Sequence, residues 1–229
     1  MTTTSHAVTA VAPQAPLAPR DRRSVRRLLA CGLLAGPVLL GVGLAQVFTR
    51  DGFDLDRHAL SQLALGPWGF VQIVNFLVAG VLVIAAARGL RGALGPGRGT
   101  VWGPRLLAGF GTGMLIAGVF VADPAFGFPV GTPDGPGLIS WHGALHGVGF
   151  MVAMVSWAAA MIVLAWGFTA RGDRAQAAIC VVALVTAAAV ATAPSLGSFG
   201  LRAIVLSAVQ LATVALLCAK ALRAPAPSC

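Results

Sequence analysis

Two histidines, His142 and His146, stand four residues apart at the start of a long apolar segment. Four residues is just over one helical turn, so both imidazoles leave the same face of a helix, about 6 Å apart along its axis. Residues 141–170 contain no Asp, Glu, Lys or Arg, which indicates a membrane-spanning helix. Ionisable groups at the mouth of such a helix are costly, and they point to a functional site.

A third histidine can complete a metal site with this pair. We predict His58, His142 and His146 as metal ligands, with zinc as the expected metal, because catalytic zinc usually takes three protein ligands and leaves one position to water. Zinc would lower the pKa of that water and make a nucleophile at neutral pH. The predicted chemistry is therefore metal-dependent hydrolysis or group transfer.

Two carboxylates and a hydroxyl are candidates for the catalytic groups. If residues 54–62 form a helical turn, Asp54 and Ser61 share a face with His58. Asp123 stands in an Asp-Pro pair at the end of another apolar segment. We predict one of three roles for Asp54 or Asp123. The carboxylate would be the fourth metal ligand, a group that orients a metal ligand by hydrogen bonding, or the general base. Ser61 would donate a hydrogen bond to a developing oxyanion.

The same residues can instead have structural roles, without binding a metal or taking part in catalysis. The histidine pair lacks the Glu that marks the zinc-protease helix. Two histidines at a membrane interface can also hydrogen-bond to neighbouring carbonyls and aspartates. The loop around Asp54 can be a solvated surface, and Asp123-Pro124 is common turn chemistry.

Composition places the chain in a membrane. Hydrophobic residues make up 57% of it and charged residues only 10%, whereas soluble domains are about one quarter charged. Six charge-free segments have close to the roughly 20 residues that a bilayer needs. These segments are 28–49, 67–87, 106–122, 141–170, 175–201 and 203–219. The predicted fold class is all-α, an integral membrane bundle of six helices.

The predicted domain organisation follows from these segments. Residues 1–27 are rich in Thr, Ala and Pro and end in arginines, which indicates a disordered basic tail. Residues 28–222 form the six-span domain, and residues 223–229 form a short cytoplasmic tail. A turn between the last two spans is expected within 194–202, where helix-breaking residues cluster.

The distribution of basic residues predicts the orientation. Thirteen of the 16 Lys and Arg residues fall at one end of the predicted spans. The other three, Arg50, Arg57 and Arg202, fall at the opposite end. The positive-inside rule therefore predicts a multi-pass protein of the bacterial inner (plasma) membrane, with both termini in the cytoplasm. The net charge of +9 reflects this topology, and we expect no nucleic-acid partner. The candidate residues then lie at the extracytoplasmic end.

Two segments resemble the motifs of a known family. Residues 54–66, Asp-Leu-Asp-Arg-His-Ala-Leu-Ser-Gln-Leu-Ala-Leu-Gly, with Trp68 and Asn75-Phe76, resemble the opening motif of a bacterial membrane family catalogued as domain of unknown function 998. Residues 119–124 and 142–147 resemble its second hallmark, an Asp-Pro turn followed by a His-Gly-x-x-His helix, with Val121 where the family often has Pro. The resemblance covers nearly all of 28–222. It implies the six-span fold and no particular activity, because the family's biochemical role is largely unassigned.

Three functions remain open at this point. The first is a metal-dependent hydrolase or transferase that acts at the extracytoplasmic site on a lipid-like substrate. The second is a metal-independent terpene (isoprenoid) cyclase, in which burial raises the pKa of Asp54 or Asp123 so that it donates the initiating proton. The third is a non-enzymatic transporter, immunity protein or assembly factor. In each, the expected partner is a membrane lipid or another hydrophobic small molecule.

Overall fold

The computed structural model describes residues 19–193, 195 and 197–223, and the regular secondary structure of these residues is entirely helical. A short 3₁₀ helix, Leu60–Ala64, lies between the first two long helices. The six long helices are α1 (Pro19–Val47), α2 (Gly69–Ala93), α3 (Trp102–Val119), α4 (Trp141–Ala170), α5 (Arg174–Thr192) and α6 (Phe199–Arg223). The predicted all-α architecture is confirmed.

Five of these helices are long and apolar enough to cross a membrane, which makes the chain a multi-pass membrane protein. The sixth, α3, is the shortest, with 18 residues, and its first turn carries Pro104 and Arg105. Its apolar part is therefore shorter than that of its neighbours.

Glycines on two faces of α3 bring it close to both neighbouring helices. A β-carbon on Gly111 would lie only 2.6 Å from the carbonyl oxygen of Gly80 in α2. On the other face, Gly113 packs against the backbone of Gly149 and Ala153 in α4. Small residues allow this close approach of membrane helices. The shortest helix is thus held between α2 and α4.

The helices follow one another around the bundle. Each helix packs against the next one in sequence, and α6 returns to pack against α1. The connections 48–68 and 120–140 and the described residues between α5 and α6 meet at one end, which we call the histidine end. There Arg57 pairs with Asp134 at 2.6 Å, and Ser198 Oγ donates to the carbonyl of Leu55 at 2.9 Å.

The opposite end, which we call the arginine end, contains the start of α1, the connections 94–101 and 171–173, and the end of α6. Lys220 Nζ lies 2.7 Å from Asp173 Oδ1, so α6 is fastened to the start of α5. Arg26 in α1 donates to the carbonyl of Leu222 at 3.1 Å. Both chain ends of the described bundle therefore lie on the same side.

A closely packed apolar core fills the bundle toward the arginine end. Its large side chains are almost completely inaccessible to solvent. They include Leu29, Val83, Leu90, Leu107, Trp157, Met161, Leu164, Phe168, Leu211 and Leu217.

Two predicted boundaries need correction. Helix α1 begins at Pro19, so the last part of the predicted tail is helical, whereas residues 1–18 and 224–229 lie outside the described residues. The fifth span ends at Thr192 and the sixth begins at Phe199, so the turn lies earlier than the charge-free segments implied. Arg202 belongs to α6, where its long side chain reaches the carbonyl of Ala191 at 3.4 Å.

Candidate functional site

Ser140 and Asp123 together form the cap at the start of α4. The Ser140 side chain accepts a hydrogen bond from the Gly143 N–H at 3.1 Å and donates to Asp123 Oδ1 at 2.5 Å. The backbone N–H of Ser140 donates to Asp123 Oδ2 at 2.8 Å. A serine is a favoured N-cap, and a carboxylate is stabilised at the positive end of a helix. The Asp-Pro turn is therefore fastened to α4.

These contacts favour the ionised form of Asp123. Burial by itself would raise the pKa of this carboxyl, but the two hydrogen bonds from Ser140 and the nearby His142 and His146 together lower it. A cyclase acid must instead be protonated before it reacts. The lowered pKa of Asp123 is opposite in direction to the rise that the cyclase hypothesis needs at this residue.

Asp54 lies in the solvated part of the first connection. Its carboxylate accepts a hydrogen bond from the backbone N–H of Asp56 at 2.8 Å, and the residue is exposed. Asp54 therefore lies in a solvated surface loop, which is the structural alternative to a catalytic role.

The two histidines of α4 cap the end of α3. His146 Nδ1 lies 2.9 Å from the carbonyl oxygen of Phe120 and 3.0 Å from that of Ala117. His142 Nδ1 lies 3.2 Å from the carbonyl of Val121. The last carbonyls of a helix lack partners within the helix, and histidine N–H groups can supply them. Hydrogen bonding of the pair to neighbouring carbonyls is confirmed.

His58 lies apart from this pair, enclosed by the first two connections of the histidine end. The residue is only 1% exposed, and its ring lies 5.3 Å from that of Phe53 and 5.4 Å from that of Phe128. Its Nδ1 accepts from the Asp54 N–H, and its Nε2 is paired with the Phe126 carbonyl, both at 2.9 Å. The ring is therefore the Nε2–H tautomer, and both nitrogens are occupied.

The three predicted zinc ligands do not form one cluster. Within residues 19–193, 195 and 197–223, no group of three or more His, Cys, Asp or Glu side chains could hold a metal ion. His58 could reach a metal only by giving up its backbone contacts. Zinc binding by His58, His142 and His146 would therefore require these backbone contacts to rearrange.

A cavity of about 520 Å³ opens at the histidine end. Among the predicted site residues, Ser61, Asp123 and His146 line it, whereas Asp54, His58 and His142 do not. Its apolar wall includes Leu39, Phe76, Phe110, Met114, Phe150 and Met154. Its further polar residues are Arg57, Gln62, Ser207 and Gln210.

The cavity lies between α4 and α6, and exposed side chains of both helices border it. Phe150 of α4 and Phe199 of α6 both line it and are 42% and 61% exposed. A β-carbon on Gly147, which also lines the cavity, would have no neighbour within 4 Å. Deeper in the bundle, Gln210 Nε2 of α6 lies 3.3 Å from Met154 Sδ of α4.

Sequence reasoning missed Gln62 and Gln210. Both are buried and both line the cavity. Gln210 was detectable as the single amide in the last apolar segment, where a polar side chain needs a partner or a cavity.

A model of the family described as "protein of unknown function (DUF998)" matches residues 33–220. The chain belongs to that family. The matched region of this DUF998 protein runs from α1 to α6 and includes every residue of the site, which confirms the resemblance inferred from the two motifs. No curated protein and no solved structure matches the chain significantly.

Proposed function

We propose that this DUF998 protein binds the hydrocarbon chain of a lipid-like molecule in the cavity between α4 and α6. The observation that supports this most directly is the cavity itself, a largely apolar space of about 520 Å³ that is bordered by exposed side chains of α4 and α6. Ligand sites of this size are typically apolar with a few polar groups that orient the ligand. The chain would lie against Phe110, Met114 and Phe150, with its polar end near Ser61 and His146.

The proposal includes six spans with both termini in the cytoplasm and the cavity on the extracytoplasmic side. It is supported by the charge of the two ends, since the histidine end carries only Arg50, Arg57 and Arg202 among the basic residues. A membrane lipid would then enter from the outer leaflet through the gap beside Phe150 and Phe199.

The packing favours a one-sided site over a transport route. Trp157, Met161 and Leu164 of α4 are at most 1% exposed and fill the bundle below the cavity. A transporter needs polar groups or an alternating opening through the bundle. A lipid-binding or lipid-modifying protein needs access to its site from one side only.

A cavity-filling variant tests the proposal. Gly147→Phe would project a ring into open space at the cavity, so we expect the protein to fold and to lose the bound chain. Gly41→Phe is the matched control, because Gly41 is an exposed glycine of α1 with no neighbour within 4 Å of a β-carbon, and it does not line the cavity. Native mass spectrometry from detergent would count retained 1-oleoylglycerol and oleate.

The expected result is one retained lipid per chain in the wild type and in Gly41→Phe, with at least a roughly tenfold loss in Gly147→Phe. Equal retention by all three proteins would contradict the proposal, because the lipid would then be bound on the outer surface. Retention of neither probe by the wild type would contradict it as well.

A further inference from the structure

We propose that the ligand of this cavity is a single-chain amphiphile whose head group donates hydrogen bonds, such as a long-chain alcohol or a monoacylglycerol. This inference rests on the proposed function, since it names the class of molecule that the same cavity binds. It follows from the hydrogen-bond acceptors that the polar groups present to the cavity, and from the volume of the cavity.

His146 offers the cavity an acceptor. Because its Nδ1 points to the carbonyl oxygens of Ala117 and Phe120, that nitrogen must carry the proton. In the neutral imidazole, Nε2 then holds a lone pair, and it has no hydrogen-bond partner among the described residues. A ligand hydroxyl can donate to this atom, whereas a carboxylate or phosphate oxygen cannot.

Asp123 gives the cavity a second acceptor and a negative charge. Each of its oxygens receives one hydrogen bond from Ser140, and a carboxylate oxygen can accept two. A negatively charged head group near this carboxylate would be repelled, because like charges at short range interact strongly away from bulk water. The carboxylate therefore favours a neutral donor over an anion.

The cation at the cavity is already paired. Among the described residues that line the cavity, Arg57 carries the only permanent positive charge, and its guanidinium lies 2.6 Å from Asp134 Oδ1. Gln62 is also engaged, since its Nε2 donates to the Ala125 carbonyl and its Oε1 accepts from the Ala59 N–H. The Arg57–Asp134 pair has no net charge, so it attracts an anionic head group less than a lone arginine would.

The volume is sufficient for one long chain. A methylene occupies about as much space as a water molecule in the liquid, about 30 Å³, so the cavity holds about 17 methylenes. That is the length of one long acyl or isoprenoid chain. A two-chain lipid would leave its second chain in the bilayer.

The test compares three 18-carbon probes on the wild-type protein by native mass spectrometry or competition binding. These are 1-oleoylglycerol, its dimethyl ether, which has the same chain and no donors, and oleate. We expect 1-oleoylglycerol to bind roughly five- to tenfold more tightly than the dimethyl ether, as the loss of one or two hydrogen bonds implies. Oleate should bind more weakly still.

The variant His146→Asn locates the acceptor. An asparagine amide can replace the Nδ1–H donor to the α3 carbonyls and lacks the Nε2 lone pair. We expect the preference for 1-oleoylglycerol over its ether to fall toward one. His142→Asn is the matched control, because His142 makes a similar backbone contact and does not line the cavity.

The outcomes separate the two proposals. Equal or tighter binding of oleate or of the dimethyl ether to the wild type would overturn the donor inference and leave chain binding intact. An unchanged preference in His146→Asn would overturn the role of His146. If no probe binds the wild type, the proposed function itself fails.

Discussion

The Oδ2 atom of Asp123 lies so close to the backbone of Gly143 that a β-carbon at this position would overlap it. The same oxygen accepts the Ser140 N–H, so the carboxylate sits directly against the first turn of α4. The glycine of the His-Gly-x-x-His segment is therefore the counterpart of the Asp-Pro turn. The Asp-Pro turn and the His-Gly-x-x-His segment therefore pack against each other. Asp123 and Ser140 cap the start of α4, while His142 and His146 cap the end of α3.

This contact predicts that Gly143→Ala is destabilising. The added methyl group has to displace the carboxylate from Ser140, and overpacking of this kind typically costs about 1–3 kcal/mol. Gly147→Ala is the control on the same helix, because its methyl group meets open space and alanine favours a helix by up to about 1 kcal/mol over glycine. Thermal or SDS unfolding in detergent would measure both. Equal stability of the two variants would show that the Asp123–Gly143 contact is unimportant.

The lowered pKa of Asp123 predicts acid-dependent stability. A carboxyl whose pKa is lowered on folding stabilises the protein above its unfolded pKa and loses that contribution as pH falls through the folded value. Burial opposes this lowering, but the Ser140 hydrogen bonds and the histidines outweigh it. We expect the wild type to lose stability below about pH 4, the ordinary range of an aspartate.

The variant Asp123→Asn isolates this contribution. It should be less stable at neutral pH by about 1–3 kcal/mol, because the amide cannot accept both Ser140 hydrogen bonds. Its stability should also fall less steeply in acid. Burial alone would raise the pKa of Asp173, but Lys220 and a backbone hydrogen bond lower it overall. Asp173 therefore contributes to the loss of stability in acid in both proteins. Identical slopes for wild type and variant would show that Asp123 does not titrate with folding.

The bundle was readable from the sequence because charge and hydropathy act over whole segments. The same end-to-end count of arginines also grouped Asp123, His58 and the histidine pair at one end, which the structure bears out. The arginine count could not show which of these residues line the same cavity. Phe126 and Phe128 lie some 70 residues beyond His58 and enclose its ring. Such distant contacts leave no local pattern in the sequence.

His58 is expected to matter for stability. Its replacement by alanine removes two hydrogen bonds to the backbone of separate connections and a buried ring between Phe53 and Phe128. We expect a loss of about 2–4 kcal/mol in unfolding measurements. Asp54→Ala is the control, because His58 bonds to the backbone N–H of Asp54 and not to its side chain. A His58→Ala protein as stable as Asp54→Ala would contradict this account.

The same contacts predict how the protein responds to zinc. His58 has no free nitrogen, and the described residues contain no cluster of three or more His, Cys, Asp or Glu side chains that could hold a metal. A structural or catalytic zinc usually needs at least three protein ligands. We therefore expect saturating zinc and a strong chelator to leave the melting temperature unchanged, because a ligand stabilises only the folded state that binds it. A rise with zinc that is lost in both His142→Asn and His146→Asn would contradict this expectation. It would also make metal-dependent hydrolysis, with the Nε2 atoms of the pair as ligands, the better proposal.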